Sequence, residues 1–206
     1  MDYGSLETLI SERLLGCCKA SRAEHCVSVA VLAVKLCRRF GVDPEKGSVC
    51  GLAHDAMKDK TLRDQWDLAR KARYIPHLES VAYAVAQIEG EKSFADKIIH
   101  GPAAAVYMRE EFQLEDEEML EAIALHSSAA ATMSPLAKII FIADKLEPRR
   151  PFVTEAESRM ADCLDIDDLL VKSLGMSIDW LRRKNHAIAQ STVYLYNALT
   201  MRESTP

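Results

Sequence analysis

Apolar residues recur at helical spacing along almost the whole chain. Leu6, Ile10 and Leu14 share one face of a first amphipathic segment. His25, Val29, Ala33 and Leu36 stripe a second, which stops near Gly41. Asp43-Pro44 supplies a cap and a first-turn residue for a third helix, which the pattern extends through "GLAHDAMKDK" at 51–60. Further helical runs follow in "LRDQWDLARKARY", "SVAYAVAQIEG" (ending at Gly90), "AAAVYMREEF" after Gly101-Pro102, and "EDEEMLEAIAL" with its acidic start. Ser134-Pro135 opens "LAKIIFIADKLE", and two more runs cover "DIDDLLVKSLGMSIDWLRRK" and "STVYLYNALTM". No run alternates with period two, and there is no internal repeat. The prediction is an all-α bundle of roughly eight to ten helices in a single domain over 1–206. The stretch 60–94 is the least typical, polar and without a clear core stripe, and the tail 203–206 is expected to be loose.

Bulk composition narrows the class. Of 206 residues, 49% are apolar and 28% charged, as in soluble globular proteins. A net charge of -5 argues against a protein that coats nucleic acid. No apolar stretch approaches the ~20 residues of a membrane span, and "MDYGSLETLI" lacks the pattern of a signal peptide. None of the six cysteines forms a C-x-x-C pair. Most lie on apolar helical patterns, which predicts reduced, buried thiols in a cytoplasmic protein; a redox or metal role for Cys17–Cys18 is the alternative.

Candidate chemistry comes from polar residues on apolar stripes. Leu136, Ile140 and Asp144 form one i, i+4, i+8 row, so Asp144 takes a core position. A buried carboxylate must be paired, protonated or bound to a cation. His25 heads an apolar row in the same way. His54 and Asp55 are adjacent and diverge by about 100° on a helix, so both can approach one ion from a shared edge. Each residue alone is explained by a salt bridge or a hydrogen bond. Together, two imidazoles and two carboxylates suit a divalent transition ion such as Fe, Mn or Zn better than Ca or Mg. His100, just before a helix start, and His126, at a helix end, read as site-edge residues. His77 and His186 have no comparable context.

The order His25, His54-Asp55, Asp144 resembles the HD-domain phosphohydrolases. The flanks "RAEHCVSVA", "GLAHDAMK", "IIHGPAAA", "AIALHSSAAATMSPLAKIIFIADKLEPRR" and "IDWLRRKNHAIAQSTVYLYN" resemble the YqeK family of bacterial HD proteins, symmetrical diadenosine tetraphosphate hydrolases that release two ADP. The resemblance implies His25, His54, Asp55 and Asp144 as metal ligands, with Fe the expected ion and Mn or another divalent ion as substitute. It implies phosphate contact or a second ion at His100 and His126, and cationic contacts to the nucleotide from Arg22, Lys58 and Arg150. It also implies a C-terminal nucleotide contact at Thr192. The expected catalytic groups are Asp55, Lys58, His100 and His126, with either histidine as proton donor to the leaving oxygen.

The implied partner is a dinucleoside polyphosphate or ADP, not nucleic acid or membrane; a homodimer is compatible. The chain departs from the family in "SSAA", where Ala129 replaces a glycine and changes the backbone approach to phosphate, and in "AIAQST", which lacks a proline. It is also longer between Asp55 and His100, where a helix around "ESVAYAVAQIEG" is expected to cover the pocket. Two alternatives stay open: an HD phosphohydrolase for a nucleoside monophosphate or cyclic nucleotide, and a nucleotide sensor with little turnover.

Overall fold

The structure is a computed structural model that describes residues 2–16, 18–91, 94–130, 132–150 and 152–202. Cys17, the Leu14 side chain and the tail 203–206 lie outside the described residues. Twelve α-helices and no strand are found among the described residues. Ten correspond to the predicted runs: α1 (Tyr3–Ile10), α2 (Ala20–Phe40), α3 (Pro44–Ala53), α4 (Leu62–Arg70), α5 (Glu79–Glu89), α7 (His100–Glu111), α8 (Glu117–Leu125), α9 (Pro135–Leu146), α11 (Ile166–Arg183) and α12 (Gln190–Arg202). The two beyond the expected count are α6 (Ala95–Ile98), a single turn, and α10 (Glu155–Cys163). Helix α10 buries only Ala161, so it shows almost no stripe; the Thr154–Glu157 capping box closes its first turn instead.

Caps fix the boundaries. The side chains of Asp43, Asp116, Ser134 and Asp165 each accept a backbone N–H in the first turn of α3, α8, α9 and α11. Gly41 ends α2 with φ +71, a left-handed conformation that glycine adopts without a Cβ clash. Helix α3 stops earlier than the periodicity suggests. His54 is its C-cap, and Asp55 to Lys58 close in turns (Ala56 N–H to Ala53 O, 3.0 Å; Lys58 N–H to Asp55 O, 2.9 Å). The Gly51 carbonyl bonds the His54 ring at 2.7 Å rather than the next helical N–H. The expectation of His54 and Asp55 on a helix body is corrected accordingly.

Helix α2 is the spine, packed against α3 and α9; α8 joins α9 to α7, and α11 lies on α9. The α2–α3 contact depends on Gly51, where a Cβ would stand 2.5 Å from Ala30 Cα. The stretch 60–94 is tied into this core. Helix α4 packs on α7 and α5 on α8, burying Ala69, Val81, Val85 and Ile88 in the main apolar cluster. The expectation that α5 covers the pocket is corrected: among the described residues of 60–94, only Phe94 lines the cavity described below. Cys26, Cys37 and Cys50 are buried thiols without disulfides, while Cys163 is exposed. No helix among the described residues is long and apolar enough to cross a membrane.

Candidate active site

Five helix ends converge on one place. His25 lies in the second turn of α2, His54 caps α3, and Asp55 follows it. His100 opens α7, His126 caps α8, and Asp144 sits in the last turn of α9. All six are buried. The close approach of α7 to α8 depends on Gly101, where a Cβ would stand 2.5 Å from the Ala124 carbonyl oxygen. That contact brings His100 and His126 to 3.1 Å between their Nε2 atoms.

The imidazoles are oriented from behind. His54 Nδ1 bonds Gly51 O at 2.7 Å, His126 Nδ1 bonds Ile123 O at 2.8 Å, and His25 Nδ1 bonds Glu147 Oε1 at 3.1 Å. With Nδ1–H donating, each Nε2 turns its lone pair into the site, the arrangement expected of metal-binding histidines. His25 Nε2 lies 3.1 Å from Asp144 Oδ1 and 3.2 Å from His54 Nε2.

Asp55 divides its two oxygens. Oδ2 faces His54 at 3.7 Å and His25 at 3.9 Å, while Oδ1 faces His100 at 3.2 Å and His126 at 3.4 Å. Among the described residues, two groups have donor atoms all within 4.8 Å of one another: His25, His54 and Asp144; and His54, Asp55 and His126. Nitrogen and carboxylate donors in this mixture suit a divalent transition ion.

Electrostatics agree with that donor chemistry. Burial pushes the His54 and His100 imidazoles down to about 3, so both are neutral at pH 7. Burial alone would raise the Asp55 carboxyl, but the surrounding His54, His100 and His126 hold it well below the usual range. Burial is likewise outweighed at Asp144, where Arg150 and Lys145 favour the carboxylate. Arg22 pairs with Asp55, and Arg150 and Lys145 pair with Asp144. Lys58 Nζ lies 3.1 Å from the His100 ring and 3.3 Å from Lys97 O; burial lowers it to about 8.

A cavity of about 710 Å³ opens beside this cluster, with Arg22, Lys58, Lys145 and Arg150 in its wall. Thr192 lines it too, but its hydroxyl donates to Ser128 O at 2.9 Å, alongside Ser191, and so ties α12 to the turn after α8. Ala129, next to that carbonyl, holds φ +55. The left-handed turn that a glycine would favour is therefore kept despite the methyl group.

The HD domain family model matches residues 22–149, which includes all six buried residues. The chain belongs to the HD domain family. The chain is 30% identical, over 88% of its length and 90% of the relative, to a symmetrical bis(5'-nucleosyl)-tetraphosphatase from Halalkalibacterium halodurans. A protein of the same name from Bacillus subtilis is 28% identical over 91% of the chain and 96% of the relative. A crystal structure described as a predicted HD superfamily hydrolase involved in NAD metabolism, from Clostridium acetobutylicum, superposes with a TM-score of 0.78 at 25% identity. It covers 95% of this chain and 97% of that one. The family resemblance read from the motifs is thus shown, and the protein is a hydrolase of the HD class.

Sequence reasoning missed several residues of this HD site. Glu147 is buried and braces His25; it lies three residues after Asp144, and that i, i+3 spacing was a usable signal. Lys145 bonds Asp144 and, at 3.2 Å, His126 O. His186, which had no context in sequence, lines the cavity beside Trp180 and Phe152.

Proposed function

We propose that the chain hydrolyses diadenosine tetraphosphate symmetrically to two ADP, using one or two divalent ions, with iron as the native metal and manganese as a substitute. The observation that carries this reading is the divided Asp55 carboxylate, with a histidine group on each oxygen, at the floor of a cavity walled by cations. His25, His54, Asp55 and Asp144 would hold the first ion; His100 and His126, with Asp55 between, would hold a second. A divalent ion there lowers the pKa of a water and polarises a phosphoryl oxygen.

The protein's own groups supply the rest. Arg22, Lys58, Lys145 and Arg150 balance the phosphate charge. Arg22 Nε is a buried donor without a partner among the described residues, a group that a phosphate oxygen would satisfy. The ammonium of Lys58, in the cavity wall and against His100, carries the proton for the leaving oxygen. With His100 and His126 taken up as ligands of the second ion, Lys58 is the donor that this reading favours over either histidine. Thr192 acts by positioning α12. The names of the tetraphosphatase relatives support the substrate. The net charge of -5 supports a small-molecule substrate rather than nucleic acid, and the free thiols fit a cytoplasmic enzyme.

The test is metal analysis of protein prepared without oxygen, paired with a diadenosine tetraphosphate assay in Fe(II) and Mn(II). ADP formation that stops on chelation is expected. Turnover of nucleoside monophosphates alone, or ADP binding with no turnover in either metal, would replace this reading.

A further inference from the structure

The cavity has a second chemical character away from its cations. Trp180, near the end of α11, and Phe152, in the segment after α9, stand 5.6 Å apart between ring centroids at 40°. His186 meets the Trp180 ring edge-on at 5.9 Å. All three line the same cavity as Asp55 and Asp144. Phe152 and Trp180 are half-buried and His186 is exposed.

These rings are not part of the packing that holds the bundle together. Trp66 packs against the main apolar core and donates its indole N–H to Asp96 at 2.9 Å, whereas Phe152 and Trp180 lie outside that core. Large apolar rings left half-open in a concave site have surface available for a planar ligand. The distance to the charged end is short. Arg150 pairs with Asp144, and Phe152 is two residues further on, so their Cα atoms are at most about 7 Å apart. A group whose phosphates lie on Arg150 therefore has its next segment beside these rings.

We propose that Trp180, backed by Phe152 and flanked by His186, is the platform on which one nucleobase of the substrate stacks. The proposal rests on the nucleotide reading above. It makes Trp180 a binding and specificity residue that selects a planar base over a bare polyphosphate. Stacking of this kind is tolerant of base identity because every base offers a π-face.

The chain has two tryptophans, so Trp66→Phe leaves Trp180 as the sole indole reporter in an otherwise intact protein. ADP should quench that emission in a saturable way, and inorganic diphosphate should not. In kinetics, Trp180→Ala should raise KM for diadenosine tetraphosphate by about 5- to 150-fold with kcat little changed, and Trp180→Phe should recover most of the loss. Equal responses to ADP and diphosphate, with wild-type KM in Trp180→Ala, would overturn the platform. The fluorescence arm needs no change at Trp180, so it decides the matter even if the alanine variant fails to fold. Base-dependent quenching in a protein that hydrolyses no dinucleoside tetraphosphate would keep the platform and reject the proposed reaction.

Discussion

Asp144 shows how much one residue can carry. Its place on an apolar row marks it as anomalous in sequence, and in the structure it balances Arg150 and Lys145 while facing His25 and His54. Asp144→Asn keeps its volume and removes its charge. It should lose bound metal and at least 100-fold in turnover while remaining folded; full metal content in a folded variant would contradict its assignment as a ligand. The two buried imidazoles lowered to about 3 give a pH prediction for metal-stripped protein. Between pH 6.5 and 3, the unfolded chain takes up protons that folded His54 and His100 refuse, so stability is full above 6.5 and falls with acid through that window. The loss should be about 2 kcal/mol per histidine at pH 5. Asp55 and Asp144, held well below 3.8, add a loss of the same sign only below about pH 5, where the unfolded carboxyls begin to protonate, so the fall between pH 7 and pH 5 belongs to the histidines. Urea midpoints that stay level between pH 7 and pH 5 would refute the burial argument. Glu147 and Lys145 escaped the sequence reading because Glu147 acts on His25 of α2, and Lys145 on the His126 carbonyl as well as on its neighbour Asp144, whereas a charged residue near a helix C-terminus looks like ordinary solvated surface.

At the scale of elements, glycine contacts set the spacing of the ligands. Gly51 lets α3 meet Ala30 of α2, and Gly101 lets α7 meet the Ala124 carbonyl of α8. Gly101→Ala should cost about 1–3 kcal/mol by overpacking and should depress turnover as His100 and His126 separate. Gly4→Ala is the control: its added Cβ meets only Asp2 Oδ1, at 3.5 Å, so thermal midpoint and activity should hold or rise slightly. Equal midpoints and equal rates for the two variants would remove spacing as an explanation. Helix existence was legible wherever a stripe and a cap coincide, as in α3 and α9. It was not legible for α6, too short to show a period, or for α10, whose apolar burial is nearly absent. The end of α3 was hidden as well, because the His54 ring takes a carbonyl that the periodic pattern assigns to the backbone.

Over the whole molecule, the long-range pairings carry the function. The ligands were legible as residue types in order, but their grouping into two clusters around the two Asp55 oxygens depends on how α2, α3, α7, α8 and α9 meet. The aromatic end of the cavity was invisible in sequence for the same reason: Phe152, Trp180 and His186 come together only when α11 folds back on α9. In the proposed reaction this arrangement attacks the middle of a tetraphosphate. It requires the cations at Arg22, Lys58 and Arg150 to grip the phosphates so that a β-phosphorus lies at the Asp55 cluster. Hydrolysis of diadenosine tetraphosphate in oxygen-18 water tests that register directly. Two equivalents of ADP are expected, with the label on the terminal phosphate of one of them; ATP and AMP as the primary products would contradict attack at the β-phosphorus.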